Sequence, residues 1–368
     1  MLAFSPFIAL FFGVFVGSLY MIPKIRRISL RHHFTDNSGA RSSHSGIVPT
    51  FGGVAFYLSY MLVLFFCQSI DTNHVSMTLL VAISIVFFTG FLDDLKDLLP
   101  QLKFLGQCVA VGLLMFQSDF RINSLHGFMG IYEIPLGVSI AGSLFFLLGL
   151  INAFNLIDGI DGLTGITGII VASFYSFMFY TLGNFFYAAI GVTTIATLLA
   201  FLRFNFSIQR KIFMGDTGSL VIGLVLGLLT LKLMSLGDEA YVALSFNRAQ
   251  LPLFLIAVLF VPLLDTLRVM LVRALNGSSI FKADRNHIHH IIIDFGLSHR
   301  RASFFIGLAN FIAASIMFFV IQQFDFTASF LVLIALLFLA IITLFLMNTH
   351  TAAIRVKVKM KQVLLRLF

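Results

Sequence analysis

Residues 136–182 read LGVSIAGSLFFLLGLINAFNLIDGIDGLTGITGIIVASFYSFMFYTL. Two apolar runs, 136–153 and 164–182, each approach the roughly 20 residues that an α-helix needs to cross a bilayer, and NAFNLIDGIDGLTG (152–165) joins them. Asn152, Asn155, Asp158 and Asp161 recur every three residues in that joint. On a helix this spacing lines amide and carboxylate groups along one slowly drifting face. Gly159 and Gly162 remove side chains where a ligand or a second backbone could approach. A loop that only capped a helix would need one such polar residue, whereas four are present. Polar groups retained at membrane depth point to function, because they are costly there.

The alternation of long apolar runs with short polar joints extends along the whole chain. Of 368 residues, 59% are hydrophobic and 11% charged, against about 25% charged in soluble domains, and the mean hydropathy is +1.01. A soluble domain is excluded, and a membrane β-barrel would need short alternating segments instead. The expectation is an all-α polytopic membrane protein. Eleven membrane helices are read at 4–22, 48–68, 77–92, 103–118, 136–153, 164–182, 184–203, 217–235, 250–272, 302–322 and 327–347. They form one transmembrane domain, 1–347, followed by a basic tail, 348–368. No repeat is long enough to suggest the inverted halves of a transporter.

Orientation follows from the basic residues. The first run has none before it and Lys24, Arg26, Arg27 and Arg31 after it, the reverse of a signal peptide's layout, which predicts a retained helix with its N-terminus outside. Strict alternation from there puts 21 of the 24 Lys and Arg residues on one side and leaves Arg121, Lys232 and Arg248 on the other. Cytoplasmic loops carry such an excess, so the C-terminus is expected inside. The asymmetry accounts for most of the net charge of +8 without invoking nucleic acid. Cys67 and Cys108 have no partner at ligand spacing and suggest neither a disulfide framework nor a zinc site.

FLDDLKDL (91–98), NAFNLIDGIDGLTG, KIFMGDTGSL (211–220) and DRNHIHH (284–290) all fall on the basic side. Four polar clusters on one face imply one site, open to a water-soluble substrate at the membrane boundary. In the first, Asp93, Asp94 and Asp97 lie within one helical turn around Lys96; clustered carboxylates suit a hard divalent cation such as magnesium, often shared with substrate phosphates. The competing account is a solvated helix end with weak ion pairs. Lys103, opening the next run, is a candidate phosphate contact. In KIFMGDTGSL, Gly215 and Gly218 bracket Asp216 where an apolar helix begins, and a helix start favours a pyrophosphate. Asp216 as a plain N-cap leaves Gly218 and Phe213 unexplained, which favours metal binding. Three histidines in DRNHIHH lack the fourth N or S ligand of a structural zinc site. Beside Lys282 and Arg285 they read as a clamp on phosphate or sugar. RSSHSGIVPTFGG (41–53) adds Arg41 and His44 as weaker anion contacts.

Taken together and in this order, DDLKDL, NAFNLIDGIDGLTG, IFMGDTGSL and DRNHIHH resemble the polyprenyl-phosphate N-acetylhexosamine-1-phosphate transferase family, over about residues 41–290. The HIHH form is similar to its undecaprenyl-phosphate GlcNAc-1-phosphate transferase branch, whereas the phospho-MurNAc-pentapeptide branch shows three adjacent histidines. The resemblance implies Asp216 as the principal magnesium ligand, with Asn155 close to the metal and manganese as an alternative ion. It places Asp93 and Asp94 next to the acceptor phosphate and Lys103 on phosphate. Asp158 and Asp161 would line the nucleotide pocket, with Phe213 stacked on uracil and Asn205 beside the nucleoside. Arg285, His287, His289 and His290 would close over the pyrophosphate and sugar.

The resemblance implies a bacterial inner-membrane enzyme with its site on the cytoplasmic face. It would use a UDP-N-acetylhexosamine and a polyprenyl phosphate, release UMP and serve an envelope polysaccharide; a homodimer is left open. Two other readings stand beside it. An aromatic-acceptor prenyltransferase would use DDLKD at 93–97 as a magnesium diphosphate motif and release pyrophosphate. A transporter without chemistry would spread its ionisable residues toward the bilayer midplane.

Overall fold

A computed structural model describes residues 5–36, 48–71, 74–237, 241, 244, 246–275, 277 and 287–367. Among the described residues, thirteen α-helices carry the fold: α1 Ser5–Arg31, α2 Gly53–Phe66, α3 Ser76–Lys96, α4 Pro100–Leu114, α5 Leu136–Ile157, α6 Leu163–Thr181, α7 Phe185–Asn205, α8 Gly215–Ser235, α9 Leu251–Val258, α10 Phe260–Leu275, α11 Ile288–Asp294, α12 His299–Gln323 and α13 Phe326–Leu367. Two short antiparallel ribbons join them: β1 Thr35–Asp36 with β2 Val48–Pro49, and β3 Ser124–Phe128 with β4 Ile131–Glu133. The sequence reading did not anticipate these ribbons, which are too short to register as periodic patterns.

Among the described residues, nine helices are long and apolar enough to cross a membrane, or ten when the bent pair α9–α10 counts as one span. The run expected at 103–118 forms α4, whose 15 residues extend only about 22 Å at about 1.5 Å per residue. The run expected at 250–272 is broken by a bend of 74°. Freed backbone groups at such a break need outside partners, and Asn310 of α12 supplies them. Its Oδ1 accepts the Val261 N–H at 2.9 Å and its Nδ2 donates to the Val258 carbonyl at 3.0 Å. Helix α13 continues from Phe326 to Leu367 without a break at 347.

Helix α8 is the axis. Its membrane window is completely enclosed by protein, whereas α1 and α13 are buried over only 11% of theirs. Enclosure explains why α8 is apolar all round rather than on one stripe. Close approach is built in at Gly53, where a Cβ would lie 2.2 Å from the Gly218 amide nitrogen of α8. The stretch before α8 is also pinned to the start of α2: Phe213 N–H donates to the Pro49 carbonyl, and the Gly52 and Gly53 amides donate to the Phe213 and Met214 carbonyls, at 2.9–3.1 Å. Helix α3 ends at Asp97, a left-handed cap whose N–H donates to the Asp93 carbonyl at 2.9 Å. Asp tolerates that conformation better than most residues. Pro100, at the first position of α4, is preorganised to restart the helix.

Candidate active site

The tight α3–α4 turn brings Lys103 back beside the end of α3. Lys103 Nζ donates to Asp93 Oδ2 at 3.1 Å, to Asn155 Oδ1 of α5 at 3.3 Å and to Asp216 Oδ2 of α8. Asn155 Nδ2 completes the ring by donating to Asp216 Oδ1 at 2.7 Å and to Ser219 Oγ at 2.9 Å. Four helices thus meet at one polar centre, and three of the sequence clusters are joined through side chains. Ser219 and Gln107, which accepts from Asn152 at 2.8 Å, extend this network.

Asp94 faces the other way. Its Oδ1 accepts the Asp216 N–H at 2.8 Å, and its Oδ2 accepts the Thr217 N–H at 2.9 Å and the Thr217 hydroxyl at 2.5 Å. It therefore satisfies the opening amides of α8 from a neighbouring helix. Gly215, at φ +69°, is needed for that contact, since a Cβ there would fall 2.4 Å from Asp94 Oδ2. The expectation that the α8 start offers its amides to a pyrophosphate is corrected on this point: Asp94 already accepts from two of them. Asp216 is not the plain cap either, because Met214 stands at that position. Lys96 and Asp97 are exposed.

A second group flanks the first. Asp161 Oδ2 pairs with Lys211 Nζ at 2.6 Å, and the Lys211 ammonium lies 5.3 Å from the Phe213 ring centroid. Ser303 of α12 donates to the Asp161 carbonyl at 2.6 Å, and Arg26 of α1 holds the Lys211 carbonyl at 3.1 Å. Asn205 is buried and donates through Nδ2 to the Ile212 carbonyl at 3.0 Å, which ties down the loop carrying Lys211 and Phe213. Asp158 ends α5 beside Thr164. Desolvation pushes its carboxyl well above the usual range, and the charges of Asp216, Asp94 and Asp161 push the same way.

The histidine cluster reaches this group through Gly159. A Cβ on Gly159 would lie 2.4 Å from His289 Nε2, so the glycine lets the histidine close on the α5–α6 turn. His289 is buried, stands 4.3 Å from the His290 ring and lies parallel to His287 at 5.7 Å. Burial first, and His290 second, push its pKa down to about 3. It is a neutral wedge at pH 7 rather than a cation. His287 Nδ1 lies 2.9 Å from Asp265 Oδ2. Asp265 was missed in the sequence, although a lone carboxylate inside the 250–272 run was a signal. Arg285, Lys282, Arg41 and His44 lie outside the described residues.

Among the described residues, no three of His, Cys, Asp and Glu come together as a ready metal cage. The Lys103 ammonium nevertheless meets an all-oxygen set formed by Asp93, Asn155 and Asp216. Such a set suits a hard cation that keeps waters and takes further oxygens from substrate phosphates. The residues present therefore fit magnesium in that partial manner.

Comparison with known proteins gives the family. The family model for glycosyl transferase family 4 matches residues 76–234, which span α3 to nearly the end of α8. A Bacillus subtilis protein named "Probable undecaprenyl-phosphate N-acetylglucosaminyl 1-phosphate transferase" is 31% identical over 295 residues, covering 80% of this chain and 79% of that protein. The undecaprenyl-phosphate alpha-N-acetylglucosaminyl 1-phosphate transferases of Salmonella typhi and Escherichia coli K12 are 27% and 28% identical over 308 residues, covering 83% of this chain and 81% of each relative. With these sequence matches and the motifs joined at one centre, the chain belongs to the polyprenyl-phosphate N-acetylhexosamine-1-phosphate transferase family, in its undecaprenyl-phosphate GlcNAc-1-phosphate branch.

Proposed function

We propose that this chain transfers GlcNAc-1-phosphate from UDP-GlcNAc to undecaprenyl phosphate, giving undecaprenyl-diphosphate-GlcNAc and UMP. The observation that carries the reading is the convergence of Asp93, Lys103, Asn155 and Asp216 on one point, within a chain whose relatives are named for this transfer. The product would open a bacterial envelope polysaccharide of the O-antigen, common-antigen or teichoic-acid type.

Phosphoryl transfer asks a protein mainly to hold two anions in line and to neutralise charge as it develops. The lipid phosphate, with a second pKa near 6 by analogy with phosphoserine, is largely a dianion at neutral pH. It attacks the sugar-linked phosphorus, the bond to the UMP oxygen breaks, and UMP carries away the electron pair. Lys103 supplies the ammonium for the acceptor phosphate, and Asp93 orients that ammonium. Asp94 fixes the α8 backbone that sets Asp216. Magnesium held by Asp216 and Asn155 would offset charge on the pyrophosphate oxygens. Phe213 offers a ring face to uracil, steadied by the Lys211–Asp161 pair, while His287 and His290 stand over pyrophosphate and sugar, with His289 as their packed base. The anomeric bond is untouched, so the α configuration is kept.

The same reading places the enzyme in the bacterial inner membrane, N-terminus outside and active site cytoplasmic, on the 21 to 3 division of basic residues. Eleven crossings are supported by the reach of α4. It starts beside Asp93, and Gln117, just past its end, donates to Thr78 at the far end of α3 at 3.4 Å.

Purified protein supplied with magnesium, undecaprenyl phosphate and a panel of UDP-sugars should release UMP with UDP-GlcNAc and only when the lipid is present. Release of UDP or inorganic pyrophosphate, or no release with any UDP-N-acetylhexosamine, would overturn the proposal. Separately, labelling of single cysteines should place residue 290 inside and the 236–249 loop outside.

A further inference from the structure

Asp265 sits on α10, is 1% exposed, and has both oxygens directed at the histidine segment. Its Oδ1 accepts the Ile288 N–H at 2.7 Å and its Oδ2 meets His287 Nδ1 at 2.9 Å. A carboxylate oxygen accepts, so Nδ1 carries a proton, and in the imidazole tautomer that this contact selects, the lone pair stands at Nε2. Neither group is placed by its own neighbours in sequence. Asp265 is where it is because α10 turns 74° away from α9, and the fully buried Asn310 holds that turn through Val258 and Val261. His287 in turn stacks parallel to His289, and His289 fills the notch over Gly159. A continuous line of contacts therefore runs from the α9–α10 bend to the turn carrying Asp158 and Asp161.

We propose that Asp265 is a positioning residue for the transfer reaction: the Asp265–His287 contact fixes the imidazole so that Nε2 is presented as an acceptor to a sugar hydroxyl of the nucleotide-sugar donor. The inference rests on the function proposed above and adds a residue outside the four sequence clusters. The competing account is that Asp265 only caps the short helix α11 through Ile288.

Asp265→Asn separates the two accounts. Its carbonyl oxygen can keep the Ile288 bond, while its NH2 group confronts Nδ1 as a donor and forces the opposite tautomer. A capping role predicts near-normal turnover. A positioning role predicts a fall of about 10- to 100-fold in kcat/KM for UDP-GlcNAc, the usual cost of removing an orienting partner of a histidine. The fall should appear as a raised KM for UDP-GlcNAc with an unchanged KM for undecaprenyl phosphate. An unfolded fraction would instead lower kcat and leave both KM values alone. In a His287→Gln background the same substitution should cost less than about two-fold, because both changes act through one ring.

His287→Asn tests the contact with Asp265 left intact. Its amide can still donate to Asp265 but has no atom at the Nε2 position, so it should show the same rise in donor KM. Equal losses from Asp265→Asn with and without His287, or a wild-type donor KM in His287→Asn, would overturn the inference. Absence of UMP release by the wild-type enzyme would instead contradict the function on which it rests.

Discussion

The two ends of α8 handle charge in opposite ways. At the Ser235 end, buried Lys232 meets Asp119 at 2.9 Å, Tyr187 donates to the same carboxylate at 3.2 Å, and the Tyr187 ring lies 5.0 Å from the ammonium. At the Gly215 end, Asp93 and Asp216 share the Lys103 ammonium, Asp161 pairs with Lys211, and Asp94 accepts from the backbone at the start of α8. Matched charges lock a fold. An excess of one sign at an enclosed site is costly unless a cation or a cationic partner joins it, and the Gly215 end is accordingly the one assigned to chemistry.

The contrast can be broken most directly at Lys103. Lys103→Met should lower turnover about 100-fold or more, as expected when one preorganised electrostatic contact is lost, with thermal stability maintained because like charges remain free to take up another cation. Turnover within a few-fold of wild type would show that the ammonium only pairs the carboxylates. At the other end, Lys232→Met should cost about 3 kcal/mol of stability by leaving a buried partner behind, without changing turnover per folded molecule. Adding Asp119→Leu should restore most of that stability. A thermal melt in detergent reads both variants.

His289 sharpens the boundary between the histidines. Its folded pKa of about 3 lies below the ordinary value of 6.5, so stability is intact above pH 6.5 and declines as pH falls toward 3, where only the unfolded chain binds the proton. By pH 5 the loss is about 2 kcal/mol, and His289→Gln should show a smaller drop in melting temperature between pH 7.5 and 5. Identical acid sensitivity in both proteins would contradict a neutral, buried His289. The smallest effect is expected at Asp94. Asp94→Asn keeps one acceptor oxygen for the α8 amides, so stability should fall by about 1 kcal/mol and turnover by less than ten-fold.

What could be read from the sequence was the membrane class, the four clusters and their convergence. Those features follow from hydropathy and from polar residues surviving where they are costly. The α9–α10 break was not legible, because its repair lies 52 residues away in Asn310. Asp94 and Asp93 look equivalent as neighbours in DDLKDL, yet successive helical residues point about 100° apart, and one reaches Lys103 while the other reaches the α8 backbone. The position of Gly159 against His289 depended on a contact between distant segments, which spacing alone does not encode.

The central claim is that Asp216 and Asn155 hold the metal while Asp93 serves the acceptor side. It is tested most directly by titrating magnesium against UMP release for wild type, Asp216→Asn and Asp93→Asn, purified in detergent and matched for thermal stability. Asp216→Asn should lose most turnover and be only partly restored by excess magnesium, since an amide lacks the charge a hard cation favours. Asp93→Asn should be slower with an unchanged magnesium requirement. Normal turnover of Asp216→Asn across the titration, together with a magnesium defect in Asp93→Asn, would contradict the account and move the metal to the DDLKD cluster.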